Sequence, residues 1–348
     1  MSRQTRFLDA CWRRPVDRTP IWIMRQAGRY LPNYRAIRKS VSFLDLCRTP
    51  DLAAEVTCQP VEEIGVDAAI IFSDIMIPAI MMGLSVDFDH GPPHVSDPIR
   101  SSADVERLQV PDPEEAAGFV MEAIRLTARS VEVPVIGFAA APFTLATYMI
   151  EGGPSRHYER TKAMALGQPA LWRQLVERIA ETTTAYLSAQ VAAGASAIQL
   201  FDTWAGVLGP ADFVQAALPG VQQILSSIDR GGREVPLIYF PRGCGAYLHH
   251  LENCGADVIG LDWTVDIGEA RRTLGDRVAV QGNLDPTALF LPQPEIERRA
   301  RLVLEAAGPA PGHVFNLGHG ILPQTPPENA RFLVDTVHQS EPDSASVA

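Results

Sequence analysis

Continuous apolar runs of four or five residues recur along the whole chain. They lie at Ile21–Met24, Ala68–Phe72, Val135–Phe138, Ala197–Phe201, Leu237–Phe240, Val258–Leu261, Val278–Gln281 and Val314–Leu317, and each gives way to a polar, Gly or Pro turn. Unbroken rather than alternating apolarity predicts strands buried on both faces, as in a parallel sheet. Between the runs the period changes to helical, over Leu52–Glu63, Ala116–Ser130, Pro169–Ala193, Ala211–Ser227, Tyr247–Asn253, Ile267–Leu274 and Glu295–Ala306. Gly65, Gly194, Gly255 and Gly308 follow helical segments and predict C-terminal caps. Eight strands alternating with helices predict a single-domain (β/α)8 barrel over residues 1–340. An open doubly wound sheet is the runner-up, disfavoured because no G-x-G-x-x-G follows an early strand. The segment Asp87–Pro113, rich in Pro, Asp and Ser, reads as an excursion outside the barrel, and residues 341–348 as a flexible tail.

Composition narrows the picture. The 348 residues are 46% hydrophobic and 20% charged, ordinary for a globular protein, and the net charge of −11 argues against a nucleic-acid partner. The charge is uneven. Residues 1–48 hold ten arginines and one lysine against three aspartates, about +8, so the remaining 300 carry about −19. Five scattered cysteines form no C-x-x-C or Cys/His zinc pattern, and no apolar run approaches the roughly 20 residues of a membrane span. A reduced, cytoplasmic chain without a bound metal is the expectation.

In a barrel the chemistry sits at the C-terminal strand ends. Those ends carry Arg25-Gln26-Ala27-Gly28-Arg29-Tyr30, Ser73-Asp74, Ala141-Pro142-Phe143-Thr144 leading to Tyr148, Asp202-Thr203-Trp204, Pro241-Arg242-Gly243, Asp262-Trp263, Asn283-Leu284-Asp285 and Gly318-His319-Gly320. Arg25 and Arg29, four apart, would share a face of one helical turn, either as solvated arginines or as an anion-binding fork. Asp74 is either a cap or salt-bridge partner, or a buried site acid. His319 between two glycines suggests backbone approaching a ligand closely. Tyr148 and the two tryptophans fit packing as well as a site. Asp202, Asp262 and Asp285 read as partners of mouth arginines or as helix caps, and Cys244 as an inert thiol. The residues alone thus describe a barrel enzyme whose positively charged mouth takes a small anion.

Longer blocks carry a resemblance. Pro20–Pro32 (PIWIMRQAGRYLP) and Gly137–Gly153 (GFAAAPFTLATYMIEGG) closely resemble the two signatures of the uroporphyrinogen decarboxylase family. Phe72–Ile75, Phe201–Gly206, Gln281–Pro286 and Phe315–Ile321 look like further blocks of that family, in its order, so the resemblance spans about residues 4–337. It implies a distorted (β/α)8 barrel and a homodimer. It also implies a carboxy-lyase that converts the four acetate arms of uroporphyrinogen III to methyls without cofactor, giving coproporphyrinogen III for haem or chlorophyll. Carried over by position, Asp74, Arg25, Tyr148 and His319 would be catalytic. Arg25, Gln26, Arg29, Arg38, Asp74, Phe138, Tyr148, Thr203 and His319 would bind substrate. Thr203 stands where many relatives have Ser, which keeps the hydroxyl. Two rivals are a zinc-dependent corrinoid or thiol methyltransferase of the same barrel superfamily, for which no His-x-Cys pair exists, and a non-catalytic porphyrinogen-binding protein.

Overall fold

A computed structural model describes residues 2–88 and 91–340. Seven parallel strands form one sheet in the order of the chain: β1 (Ala69–Ile70), β4 (Val135–Ala140), β5 (Ala197–Asp202), β6 (Leu237–Pro241), β7 (Val258–Gly260), β8 (Ala279–Leu284) and β9 (His313–Leu317). β4, β5, β6, β8 and β9 are buried at every residue, as their unbroken apolarity requires. The two remaining strands, β2 (Val86–Asp87) and β3 (His94–Val95), pair antiparallel as a small ribbon within the predicted excursion. The predicted tail, residues 341–348, lies outside the described residues.

The first predicted strand differs. Residues 21–24 occupy the eighth strand position, but only Ile21 makes a bridge, to Phe315. On the β9 side the backbone ladder survives: Phe315 N–H donates to Pro20 (2.8 Å) and Trp22 N–H to Phe315 (3.3 Å). On the β1 side Asp67 N–H donates to the Ile21 carbonyl (2.7 Å), and side chains then replace backbone. Ile21 N–H donates to the Asp67 carboxylate (2.9 Å), Ile23 N–H to Gln26 Oε1 (3.0 Å) and Met24 N–H to Asn316 Oδ1 (3.0 Å). Gln26 Nε2 in turn donates to the Ala68 carbonyl (3.0 Å). Buried N–H groups must find acceptors, and here Asp, Gln and Asn provide them where two strands splay. Gln190 does the same for β4, accepting from Phe138 N–H and donating to its carbonyl.

The helices follow their start and stop signals. Pro169 opens Pro169–Ala193, and Gly194, at φ +122°, closes it; Gly65, Gly255 and Gly308 also take positive φ behind their helices. Asp112 caps Pro113–Ser130 by accepting from Glu114 and Glu115 N–H. The stretch 211–227 is two helices, Pro210–Ala216 and Leu218–Ser227, and 247–253 is a 3-10 turn followed by Leu248–Leu251. The chain adds helices that the apolar pattern left unassigned, among them Arg3–Cys11, Pro32–Arg38, Pro142–Glu151 and Pro327–Gln339. Among the described residues no helix is long and apolar enough to cross a membrane.

Asp67 is the hub of the bottom. Besides Ile21 N–H, its fully buried carboxylate receives Arg6 Nη1 (3.0 Å) from the first helix and His338 Nε2 (2.7 Å) from the last. Burial pushes its pKa up, but the His338, Ile21 and Arg6 partners outweigh that and leave it below the ordinary carboxylate value. Its stabilisation is therefore complete above the unfolded carboxyl range near pH 4 and is lost as pH falls through the lower folded value. Asp67→Asn leaves Arg6 with Asp17 as its one acid and removes the charged acceptor of Arg6 and His338, so urea denaturation at pH 7 should show a loss of about 1.5–3 kcal/mol. A loss below about 1 kcal/mol would remove Asp67 from the seam.

Candidate active site

Every strand end on the C-terminal side contributes to one mouth. The turn 24–30 enters it first. Arg25 lies there in left-handed backbone (φ +63°), a conformation uncommon for a non-glycine residue. This is a tight turn, not the helical turn that the spacing of Arg25 and Arg29 suggested. It is fixed on several sides. Gln26 N–H donates to Ile23 (2.8 Å) and Ile321 N–H to Met24 (2.9 Å), and the bare Gly28 packs on the Arg25 carbonyl. The Arg25 side chain lies against Gly320, where a Cβ would come within 2.4 Å of its Cδ. The glycines around His319 thus make room for the protein itself: Gly320 for Arg25, and Gly318 for the Asp262–Trp263 backbone, 2.3 Å from where its Cβ would be.

Asp74 follows β1. One oxygen accepts Met76 N–H (2.8 Å), so the carboxylate fixes the turn that leads into the helix Ile77–Met81. It is half-buried and no cation bonds it directly. Burial pushes its pKa up to about 6, with the Met76 N–H and the Arg25 charge opposing. Tyr148, on the helix Pro142–Glu151, is raised above its ordinary value by burial and then by the Asp74 charge. His319, after β9, is lowered to about 4 by burial and then by the positive charges of Arg25 and Arg242. Its imidazole is neutral at pH 7, and its Nε2 is buried without a hydrogen-bond partner. Asp74, Tyr148 and His319 thus all feel the one Arg25 guanidinium.

The walls are aromatic. Phe138, Phe201 and Phe240, on the adjacent strands β4, β5 and β6, form a chain of rings with centroids 5.6 and 6.1 Å apart, and the His319 ring, after β9, lies 6.3 Å from Phe240. Tyr148 and Tyr158 both lie against Trp204, at 6.0 and 5.2 Å. Arg38 stacks over Phe43 (5.9 Å), which packs on Phe72 (5.7 Å), so Arg38 reaches the rim beside Asp74. Thr203, half-buried, sits in the turn after β5. That turn is set by Asp202, which is fully buried and accepts from the Thr144 hydroxyl (2.6 Å) and the Tyr239 hydroxyl (2.7 Å).

Asp202 therefore holds hydroxyls and no arginine, contrary to the expectation from sequence. Asp262 likewise spends itself on Gly243 N–H and on Thr264, while Asp285 does cap the 3-10 turn at Pro286–Phe290. Gln26, expected in the pocket lining, is fully buried with both ends of its amide used in the seam. Cys244 is buried, and burial pushes its thiol pKa far up, so it is inert. Among the described residues no group of three His, Cys, Asp or Glu side chains could hold a metal ion.

The basic N-terminal segment divides sharply. Arg6 pairs with Asp17 and Asp67, Arg13 with Asp276, and Arg14 with Glu234. Arg3, Arg35 and Arg38 donate to backbone carbonyls. Arg25 and Arg29 bond no other described side chain and remain exposed at the mouth. Sequence reasoning left Arg242, Trp263 and Tyr158 without a site role. The first two lay in plain view at strand ends; Tyr158, beyond a helix, carried no signal.

Fold and site together define a barrel of (β/α)8 type whose mouth presents guanidinium groups that pair with no described acid, beside the half-buried carboxylate of Asp74. Comparison with known proteins makes this specific. Residues 2–340 match the family described as uroporphyrinogen decarboxylase (URO-D). The uroporphyrinogen decarboxylase of Trichlorobacter lovleyi is 52% identical over 336 residues, 96% of this chain and 98% of the relative. That of Myxococcus xanthus is 53% identical over 336 residues, 96% of each. A solved methyltransferase from Methanosarcina mazei superposes with a TM-score of 0.81 over 97% of this chain and 98% of its own, at 22% identity. At that identity the likeness speaks for the shared barrel alone. The chain belongs to the uroporphyrinogen decarboxylase family, as its sequence blocks implied.

The His319 environment can be tested directly. Its ring should titrate near pH 4 in histidine NMR spectra, and Arg25→Gln should move that value upward, since it removes a positive charge. An imidazole titrating near 6.5 in the unaltered protein would contradict the buried, cation-flanked placement.

Proposed function

We propose that the protein removes the four acetate carboxyls of uroporphyrinogen III as carbon dioxide, giving coproporphyrinogen III. The observation that carries the reading is the family match over residues 2–340, and it is supported by Asp74, Tyr148 and His319 all lying within electrostatic reach of Arg25. Loss of carbon dioxide from an acetate arm leaves an electron pair that needs a sink. Protonation of the adjacent pyrrole at its α-carbon supplies one. The C–C bond then breaks, the pair flows into the cationic ring, and an exocyclic methylene forms. Protonation of that methylene gives the methyl group, and loss of the α-proton restores the pyrrole. Each arm thus consumes one proton and releases one carbon dioxide. The protein has to bind, orient and stabilise charge.

In this reading Asp74 lies beneath the macrocycle, accepts its pyrrole N–H groups with the oxygen left free by Met76, and stabilises the cationic ring. Arg25 holds the departing acetate. A guanidinium with a pKa above about 12 is a poor acid, so Arg25 acts by polarising a water that delivers the proton. Arg29 and Arg38 hold peripheral carboxylates, Tyr148 and Thr203 donate hydroxyl hydrogen bonds, and the neutral His319 offers its unused Nε2. Phe138 belongs to the apolar wall against which the pyrroles pack. Gln26 acts one step back, by shaping the Arg25 turn. We further place the protein in the cytoplasm as a homodimer, which sedimentation at twice 37.9 kDa would support.

Anaerobic incubation with uroporphyrinogen, followed by chromatography of the oxidised products, should show heptacarboxyl through tetracarboxyl species. Their absence would end the decarboxylase reading, and a requirement for stoichiometric zinc would favour the methyltransferase class. Asp74→Asn should keep the fold and lower kcat by about 10²–10³. Because Asp74 is raised above its unfolded value, its charge costs stability above pH 6 and nothing below pH 4. The Asn variant should therefore be more stable than the unaltered protein at pH 8, by about 1–3 kcal/mol, with the gain vanishing near pH 4. Near-normal turnover or lower stability at pH 8 would contradict the assignment. Gly320→Ala should leave folding intact and cut kcat about 10- to 100-fold, since displacing a positioning group by an ångström is enough for such a loss. Unchanged kcat would mean that Arg25 need not lie where Gly320 lets it.

A further inference from the structure

Arg242 closes the mouth opposite Arg25. It follows β6, and its backbone is clamped on three sides. Its N–H donates to the Asp202 carbonyl (3.2 Å), and the next N–H, of Gly243, donates to the Asp262 carboxylate. Its own carbonyl packs on Gly206 so closely that a Cβ there would come within 2.4 Å of the oxygen. The side chain is equally constrained. The guanidinium lies over the Trp263 ring, 5.4 Å from its centroid. Trp263 is itself 38% exposed, unusual for so large an apolar group.

Two facts make this arginine more than a rim charge. First, no acid among the described residues forms an ion pair with it. Asp262, whose carboxylate accepts the N–H of the neighbouring Gly243, is committed to Gly243 and Thr264 and makes no ion pair with it. Arg3, Arg6, Arg13 and Arg14, by contrast, are matched to acids or carbonyls. Second, its charge reaches into the site: it adds to that of Arg25 in keeping His319 neutral, and it also bears on Tyr158. Arg25, His319 and Arg242 therefore form an arc of two unpaired cations with a neutral, unpartnered ring nitrogen between them. A planar fork held flat on an aromatic face keeps its edge free for bidentate contact with a carboxylate.

We propose that Arg242, stacked on Trp263, is a substrate-binding residue that takes a peripheral carboxylate of the macrocycle on the side away from Arg25 and Arg29. It thereby helps set which pyrrole lies over Asp74. The proposal rests on the uroporphyrinogen reading for the identity of the ligand, but its chemistry is that of any flat polycarboxylate. Tyr158, whose ring shares the Trp204 stack, covers the same side of the mouth.

Two measurements test it separately from turnover. Isothermal titration with oxidised uroporphyrin should give a Kd about 10- to 100-fold weaker for Arg242→Ala, the range expected for a charged hydrogen-bonded contact. Arg242→Lys, which keeps the charge but loses fork and stack, should fall between, and Trp263→Leu should weaken binding by a smaller factor. In the decarboxylation assay Arg242→Ala should raise KM by a similar factor and leave kcat within about threefold. Circular dichroism and thermal melting of Arg242→Lys guard against a folding artefact. A Kd within twofold of the unaltered protein for Arg242→Ala would overturn the proposal, as would a fall in kcat at constant KM. If the unaltered protein bound uroporphyrin but did not decarboxylate uroporphyrinogen, the decarboxylase reading would fail while the titration still decided the role of Arg242.

Discussion

The barrel depends on how its seam is closed. Seven strands make an ordinary parallel ladder, but the eighth position is a chain segment with one bridge, wedged between β9 and a two-residue β1. Closing a barrel there with backbone alone would leave buried N–H groups unsatisfied, each at a cost of about 1–3 kcal/mol. Asp67, Gln26 and Asn316 remove that cost by standing in for the missing carbonyls. Asp67 also gathers Arg6 from the first helix and His338 from the last, so both ends of the chain are tied to the same buried carboxylate. The distortion has a use. A regular eighth strand would carry Arg25 in extended backbone, whereas the splayed segment frees residues 24–30 to turn over the mouth.

The same economy governs charge. The protein is acidic overall, yet its mouth is positive because the acids are occupied elsewhere. Asp202, Asp262 and Asp285 bond hydroxyls and N–H groups rather than guanidinium groups. Arg25, Arg29 and Arg242 are left with no described acid to neutralise them, and a polyanionic ligand can. Asp74 is the exception that the site needs: a carboxylate with one oxygen anchored, the other open, and crowding enough to lift it to about 6. In the proposed reaction such an acid, poorly solvated when ionised, would gain from a cationic ring forming above it. Stability is given up at that position, which fits the general rule that strained or desolvated groups collect where function is.

The barrel is shared with a methyltransferase at 22% identity, a likeness of fold alone. Strands and helices can be kept while the strand-end loops change chemistry. In this chain the loops are positioned by contacts between their backbones, Gly206 against Arg242 and Gly318 against Trp263, where any larger residue would collide. Rigid loops on a rigid sheet allow a few side chains to be aimed within the tolerance that catalysis requires.

Period and composition alone determined much. Eight buried runs alternating with helical segments specify a barrel because a strand apolar on both faces has to be covered on both, and strand ends then mark the mouth. Asp74, Tyr148, Thr203 and His319 were legible as strand-end or near-strand-end polar groups, and the long Arg25 and Tyr148 blocks were legible as family signatures. Other features were open only to the folded chain. Ile21–Met24 reads as a strand, and whether it pairs depends on Gln26, three residues from Ile23, and on Asp67 and Asn316, 46 and 292 residues from their donors. Arg6, Arg13 and Arg14 look no different in sequence from Arg25 and Arg29; partners such as Asp67, Asp276 and Glu234, distant along the chain, decide which cations are spent and which stay free. Gln26 is polar beside the site arginine, yet it faces the seam. The protonation of Asp74 and His319 likewise follows from burial and from neighbours on other strands. Local patterns record which face of an element is apolar, because that is set within one or two turns of chain. Pairing of charges and satisfaction of buried N–H groups are set by what the closed barrel brings together, and only the tertiary structure decides them.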